Sequence, residues 1–63
     1  MMNVEIWDKE KDENLKNINL GVVPRVGELI NLNSSSDFKV IEVCYLLNET
    51  PPKVMVVVES VPN

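Results

Sequence analysis

Residues able to do chemistry are few in this chain. It has one thiol, Cys44, and no histidine. Without an imidazole the common nucleophile–base pairs cannot form. With a single thiol the usual zinc ligand sets cannot be assembled either. A reactive cysteine needs a nearby cation or a helix N-terminus to hold its thiolate. Nothing in the sequence places either beside Cys44, which lies in the apolar run Phe38–Leu47 and reads as a small buried core residue. Carboxylates are numerous (Glu5, Asp8, Asp12, Glu28, Asp37, Glu42 and Glu59), but none sits in a metal-loop spacing with the glycine such a loop requires. The chain has only two glycines, Gly21 and Gly27, and neither a P-loop nor a dinucleotide fingerprint. Lys39 and Lys53 are expected to approach each other on paired strands, which makes a weak anion site at most. The expectation is a protein without catalytic, cofactor-binding or metal-binding residues.

Surface recognition is the chemistry that remains. Trp7, Tyr45, Leu46 and Leu47 form the informative apolar group, since tryptophan and tyrosine are enriched among interface hot spots. A contiguous exposed apolar area usually marks an interface. The competing reading is that Trp7 and Tyr45 close the open ends of a small barrel. A second candidate is the acidic set Asp8, Glu10, Asp12 and Glu13, which would meet a basic groove on a partner. These acids alternate with Lys9 and Lys11, so a solvated, charge-mixed loop is the simpler account.

Four segments have the patterning of strands that would position these groups. In the first, Asn3–Asp8, Met2, Val4 and Ile6 alternate with Asn3, Glu5 and Trp7, the period-2 signature of a half-buried strand. The aliphatic side faces the core and Trp7 the other side. Of the nine residues 8–16, seven are charged, and Asn14, Asn17 and Asn19 follow among apolar residues. Asparagine weakens helix propensity, and the helical spacing of Leu15 and Ile18 suggests one turn in an otherwise solvated loop over 8–21. Pro24 and Gly27 precede a second strand at Leu29–Leu32, the glycine permitting a bulge. Asn33 to Asp37 is a run of turn formers, including Ser34 and Ser35, that suits an exposed hairpin loop.

The third strand, Phe38–Leu47, is apolar on both sides: Phe38 and Val40 on one, Ile41, Val43 and Tyr45 on the other. A regular strand cannot bury both sets against one core. Either a bulge near Ile41 shifts the register or the strand bends to serve two surfaces. Pro51 and Pro52 stiffen the next turn. The fourth strand, Lys53–Val61, places Val54, Val56 and Val58 on one face and Met55 and Val57 on the other. The fold class expected is all-β over a single domain, residues 1–63: a small antiparallel SH3-like barrel, or a strongly curled four-stranded sheet completed by dimerisation.

Composition bounds the partners. With 63 residues, one small core must serve the whole chain. A net charge of −4, from 10 acidic and 6 basic residues, disfavours direct nucleic-acid binding, which needs cations to displace phosphate counterions. No apolar run approaches the ~20 residues of a membrane helix. The start of the chain has no signal-peptide pattern, so a cytoplasmic location and no membrane partner are expected.

The segments V-P-R-V-G-E-L-I at 23–30, F-K-V-I-E-V at 38–43 and V-M-V-V-V-E at 54–59 together resemble a pattern in small uncharacterised bacterial and bacteriophage proteins. In that pattern a P-x-V-G-D/E-x-V opening leads into a strand, followed by Y-x-V-x-x-V and V-x-V-x-V-E. The resemblance covers residues 23–59 and implies an SH3-like barrel with no common enzymatic activity. It implies an enlarged first loop at 8–19, a place SH3-like domains commonly use for partner recognition. The functional expectation is a non-enzymatic protein-interaction module, homodimeric or bound to a host protein. Its finer form is a bacteriophage accessory protein that inhibits a host defence enzyme or complex. A small-ligand or nucleotide binder using a dimer cleft is the alternative, and a structural or assembly component a further one.

Overall fold

The computed structural model describes residues 2–33 and 36–62. Within them the chain forms five β-strands, β1 (Met2–Asp8), β2 (Glu13–Leu20), β3 (Leu29–Asn33), β4 (Ser36–Leu46) and β5 (Lys53–Val61). They lie in one sheet in the order β2-β1-β5-β4-β3. The sheet is strongly curled, a half-barrel. Neighbours are antiparallel except β1 and β5, which run parallel with Val4 beside Val54 and Ile6 beside Val56.

The all-β class holds, with one strand more than the four expected. The additional strand is β2, in the segment expected to be a charged loop with a helical turn. Leu15, Ile18 and Leu20 all pack against the core from it. The apparent helical spacing of the first two comes from an irregularity in the β1–β2 pairing. Ile6 faces Lys16 and Trp7 faces Asn14, so Leu15 is an extra residue, and its bulge turns a step of two into a step of three. Of the serine-rich hairpin expected at 33–37, Ser34 and Ser35 lie outside the described residues.

A second bulge solves the two-sided strand. Val40 faces Val58 and Glu42 faces Val57, leaving Ile41 unpaired between them. Phe38 and Val40 before the bulge, and Val43 and Tyr45 after it, therefore share one side of the sheet with Val54, Val56 and Val58. A regular strand would have turned Glu42 and Cys44 inward instead. The core is this inner face: Val4, Ile6, Val40, Val54, Val56 and Val58 are almost completely buried and Phe38 nearly so. Valine dominates because β-branched side chains pack well on a pleated surface.

Gly27 supports a third irregularity. Its φ is +95°, and the Glu28 N–H donates to the Arg25 carbonyl at 3.0 Å, a type II turn with glycine where φ must be positive. Gly27 N–H donates to the Val40 carbonyl and Val40 N–H to the Glu28 carbonyl, both at 2.9 Å. Two residues thus face one, and the chain enters β3 already tied to β4.

Candidate functional site

Three surfaces carry side chains that could meet a partner or a ligand. The first lies on the outer face of β1, where Asn3, Glu5 and Trp7 alternate away from the core. Because β1 and β5 run parallel in register, Asn3 lies beside Lys53 and Glu5 beside Met55. The Glu5 carboxylate accepts from Trp7 Nε1–H and from Lys53 Nζ, each at 3.1 Å, through different oxygens. Lys53 Nζ is also 3.4 Å from Glu49 Oε1 in the preceding turn. The indole N–H, then the lysine, hold the Glu5 carboxyl below the ordinary carboxylate range. Glu5 and then Glu49 hold the Lys53 ammonium above its ordinary value. Asn17 and Asn19 of β2 face Glu5 and Asn3, and Glu49, Thr50 and Pro51 wall the other side. The result is an open, mostly polar groove of about 450 Å³.

The second surface is the β1–β2 hairpin tip, which carries the four acids singled out above. Asp8 is not presented to a partner: it is 5% exposed, and its Oδ1 accepts from the N–H groups of Glu10 (2.9 Å) and Lys11 (3.4 Å). Its role is to close the turn, as aspartate side chains commonly do two or three residues ahead of themselves. Glu10, Asp12 and Glu13 are exposed, and Lys9 and Lys11 are exposed among them. Four acids against two lysines leave residues 8–13 with a net charge of −2.

The apolar group expected from sequence is dispersed. Trp7 is half-buried on the outer face, beside Val57. Tyr45 is 55% exposed beside Val54 on the inner face, and Leu47 is 70% exposed beyond the end of β4. Leu46 is half-buried on the outer face beside Lys53, several residues along β5 from Trp7. Trp7 and Tyr45 thus lie on opposite sides of the sheet and make no common surface. Lys39 and Lys53 do not meet either, because Lys39 faces Glu59 at the far end of β5. Cys44, expected in the core, is half-buried on the outer face beside Met55. The Ile41 bulge places it there.

The third surface has no counterpart among the residues expected. Val22, Val26 and Leu29 are 83%, 64% and 63% exposed, all in the stretch leading into β3. Val22, Val23, Pro24, Glu28, Leu29 and Ile30 line a shallow apolar groove of about 560 Å³. Val23 and Ile30 on its floor continue into the core. The sequence carried a signal for it: V-V-P-R-V-G-E-L sets apolar residues around a proline and a turn glycine, where no strand alternation turns them inward. No protein-family model matches the chain, nor does any curated protein or solved structure. No helix among the described residues is long and apolar enough to cross a membrane.

Proposed function

We propose that this chain is a non-enzymatic protein-interaction module whose contact surface is the Val22–Ile30 stretch. The observation that carries the reading is the exposure of Val22 and Leu29 in one groove, with exposed Val26 in the turn between them. An apolar cluster contiguous with the core and left in water is the usual mark of an interface. The type II turn at Arg25–Glu28 holds the cluster in shape before any partner arrives, which lowers the ordering cost of association. The finer form of this reading is a bacteriophage accessory protein that occludes a host defence enzyme or complex. Its support is the resemblance of residues 23–59 to small bacterial and bacteriophage proteins; the acids of the hairpin tip are interleaved with Lys9 and Lys11, so the apolar edge is taken as the contact. The test is affinity capture from bacterial lysate with the wild type and with a Val22→Lys/Leu29→Lys double variant. Specific capture by the wild type and its loss in the variant are expected. The same proteins retained by both would overturn the assignment.

A second reading, a binder of a small polar ligand, is favoured by the groove over Asn3, Glu5, Asn17, Asn19, Thr50 and Lys53. Two carboxylates flank its one cation, so a neutral polar molecule suits it better than a phosphate. A ligand at about 100 times its Kd would stabilise the fold by about 2.7 kcal/mol. That raises the Tm of a domain this size by about 10 °C or more. A panel of nucleosides, nucleotides and sugars at millimolar concentration, none of them moving the Tm, would eliminate this reading.

A further inference from the structure

We infer that the occupant of the Val22–Ile30 surface is a second copy of this chain, docked about a two-fold axis. The inference rests on the interaction-module reading and puts a second copy, in place of a host protein, on this edge. The chain as a whole exposes more surface than a compact monomer of its mass. The chain exposes 4439 Å², against about 4,100 Å² expected for a compact monomer of this mass. Its radius of gyration is 11.4 Å where about 10.6 Å is expected. A two-fold interface of ordinary size removes about 600 Å² or more from each copy, enough to absorb that excess.

Charge permits self-association at this edge and opposes it elsewhere. The chain as a whole carries −4, which opposes the approach of two copies by most of their surfaces. Residues 21–33 contain one cation, Arg25, and one anion, Glu28, and are therefore neutral. The remaining 9 acids (10 − 1) and 5 bases (6 − 1) put the whole −4 elsewhere. The neutral stretch is also where Val22, Val26 and Leu29 are exposed. In a two-fold interface residue i meets residue j and j meets i. A patch with one cation and one anion beside an apolar centre is complementary to itself under that operation. The Arg25 guanidinium forms no ion pair among the described residues, and Glu28 meets Arg25 of its own copy only through the backbone N–H, at 2.6 Å. The axis brings Arg25 of each copy toward Glu28 of the other.

The experiment is solution mass by light scattering across about 10–500 µM, with circular dichroism to verify folding of each variant. Wild type is expected at twice its 7.1 kDa. Leu29→Lys and Val22→Lys are expected to raise the dimer Kd at least about 100-fold, whereas Leu47→Lys, at an equally exposed site outside the surface, leaves it unchanged. Arg25→Glu and Glu28→Arg should each weaken the dimer, and the double exchange should recover at least part of the loss. A wild type that stays at 7.1 kDa throughout, or a dimer broken by Leu47→Lys and not by Leu29→Lys, overturns the inference. A monomer that still captures another protein through Val22 and Leu29 shows that the second copy is wrong while the interaction-module reading stands. A monomer that captures nothing refutes both.

Discussion

Val56 and Val57 are adjacent on β5 and chemically identical, so replacing each by alanine isolates the difference between the two faces of the sheet. Val56 is fully buried, between Ile6 on β1 and Val43 on β4. Val57 is half-buried on the outer face, between Trp7 and Glu42. Both substitutions lose the same intrinsic strand preference, at most about 1 kcal/mol. Val56→Ala also removes two methyl equivalents from the core, about 1.6 kcal/mol of transfer free energy. The cavity left behind brings its total to about 2–3 kcal/mol. Val57→Ala should cost below about 1 kcal/mol. A domain of this size holds about 3–5 kcal/mol in all, so Val56→Ala consumes half or more of it. With a urea m-value of about 1 kcal/mol/M, its midpoint falls by about 2–3 M. The assay is equilibrium urea unfolding followed by the fluorescence of Trp7 and by circular dichroism, with m-values compared to verify two-state behaviour. Equal losses for the two variants would refute the face assignment of β5.

Other expectations follow from single contacts. Gly27→Ala forces an alanine to φ +95° and should cost about 1–2 kcal/mol although its Cβ would meet nothing, while Gly21→Ala, equally unobstructed and without that backbone constraint, should be close to neutral by thermal unfolding. Asp8→Ala removes the acceptor for two turn N–H groups and should cost about 1 kcal/mol, whereas Asp8→Asn keeps an oxygen acceptor and should retain most of that stability. The Glu5 carboxyl is held below its unfolded value, so its contribution is present above about pH 4.3 and is lost as pH falls through the lowered folded value. Glu5→Gln should flatten that acid limb in a series of melts between pH 2 and 6, and an unchanged limb would show that the Trp7–Glu5–Lys53 contacts carry no linkage.

Much of the fold is legible in residue patterns, and the failures have physical causes. β1, β4 and β5 announce themselves because each has valines or isoleucines at strand spacing, and the two-sided apolarity of Phe38–Leu47 demands the bulge found at Ile41. β2 is hidden because it is an edge strand. It contributes only half-buried Leu15, Ile18 and Leu20 to the core, and its own bulge breaks their alternation. The Glu5–Lys53 pair spans 48 residues and depends on the parallel alignment of β1 with β5, which no local spacing encodes. The dispersal of Trp7 and Tyr45 has the same origin, since the side each occupies is decided by its register against β5. The exposed Val22–Leu29 cluster was readable as composition, but strand patterning alone assigns no side to residues in a turn.

The strand order has a consequence for how the domain comes together. β5 is the last strand in sequence and the middle strand in space. Before Lys53–Val61 is available, β1–β2 and β3–β4 are two separate hairpins with no pairing between them. An isolated hairpin is at best marginal in water, so during synthesis Val4, Ile6, Phe38 and Val40 stay uncovered until Lys53–Val61 is made and β5 can enter. The half-finished state presents two open strand edges that fit the same missing strand, and at high local concentration a β5 from a neighbouring copy can fill the gap. Exchange of that one strand between chains is therefore the assembly error this topology has most to guard against.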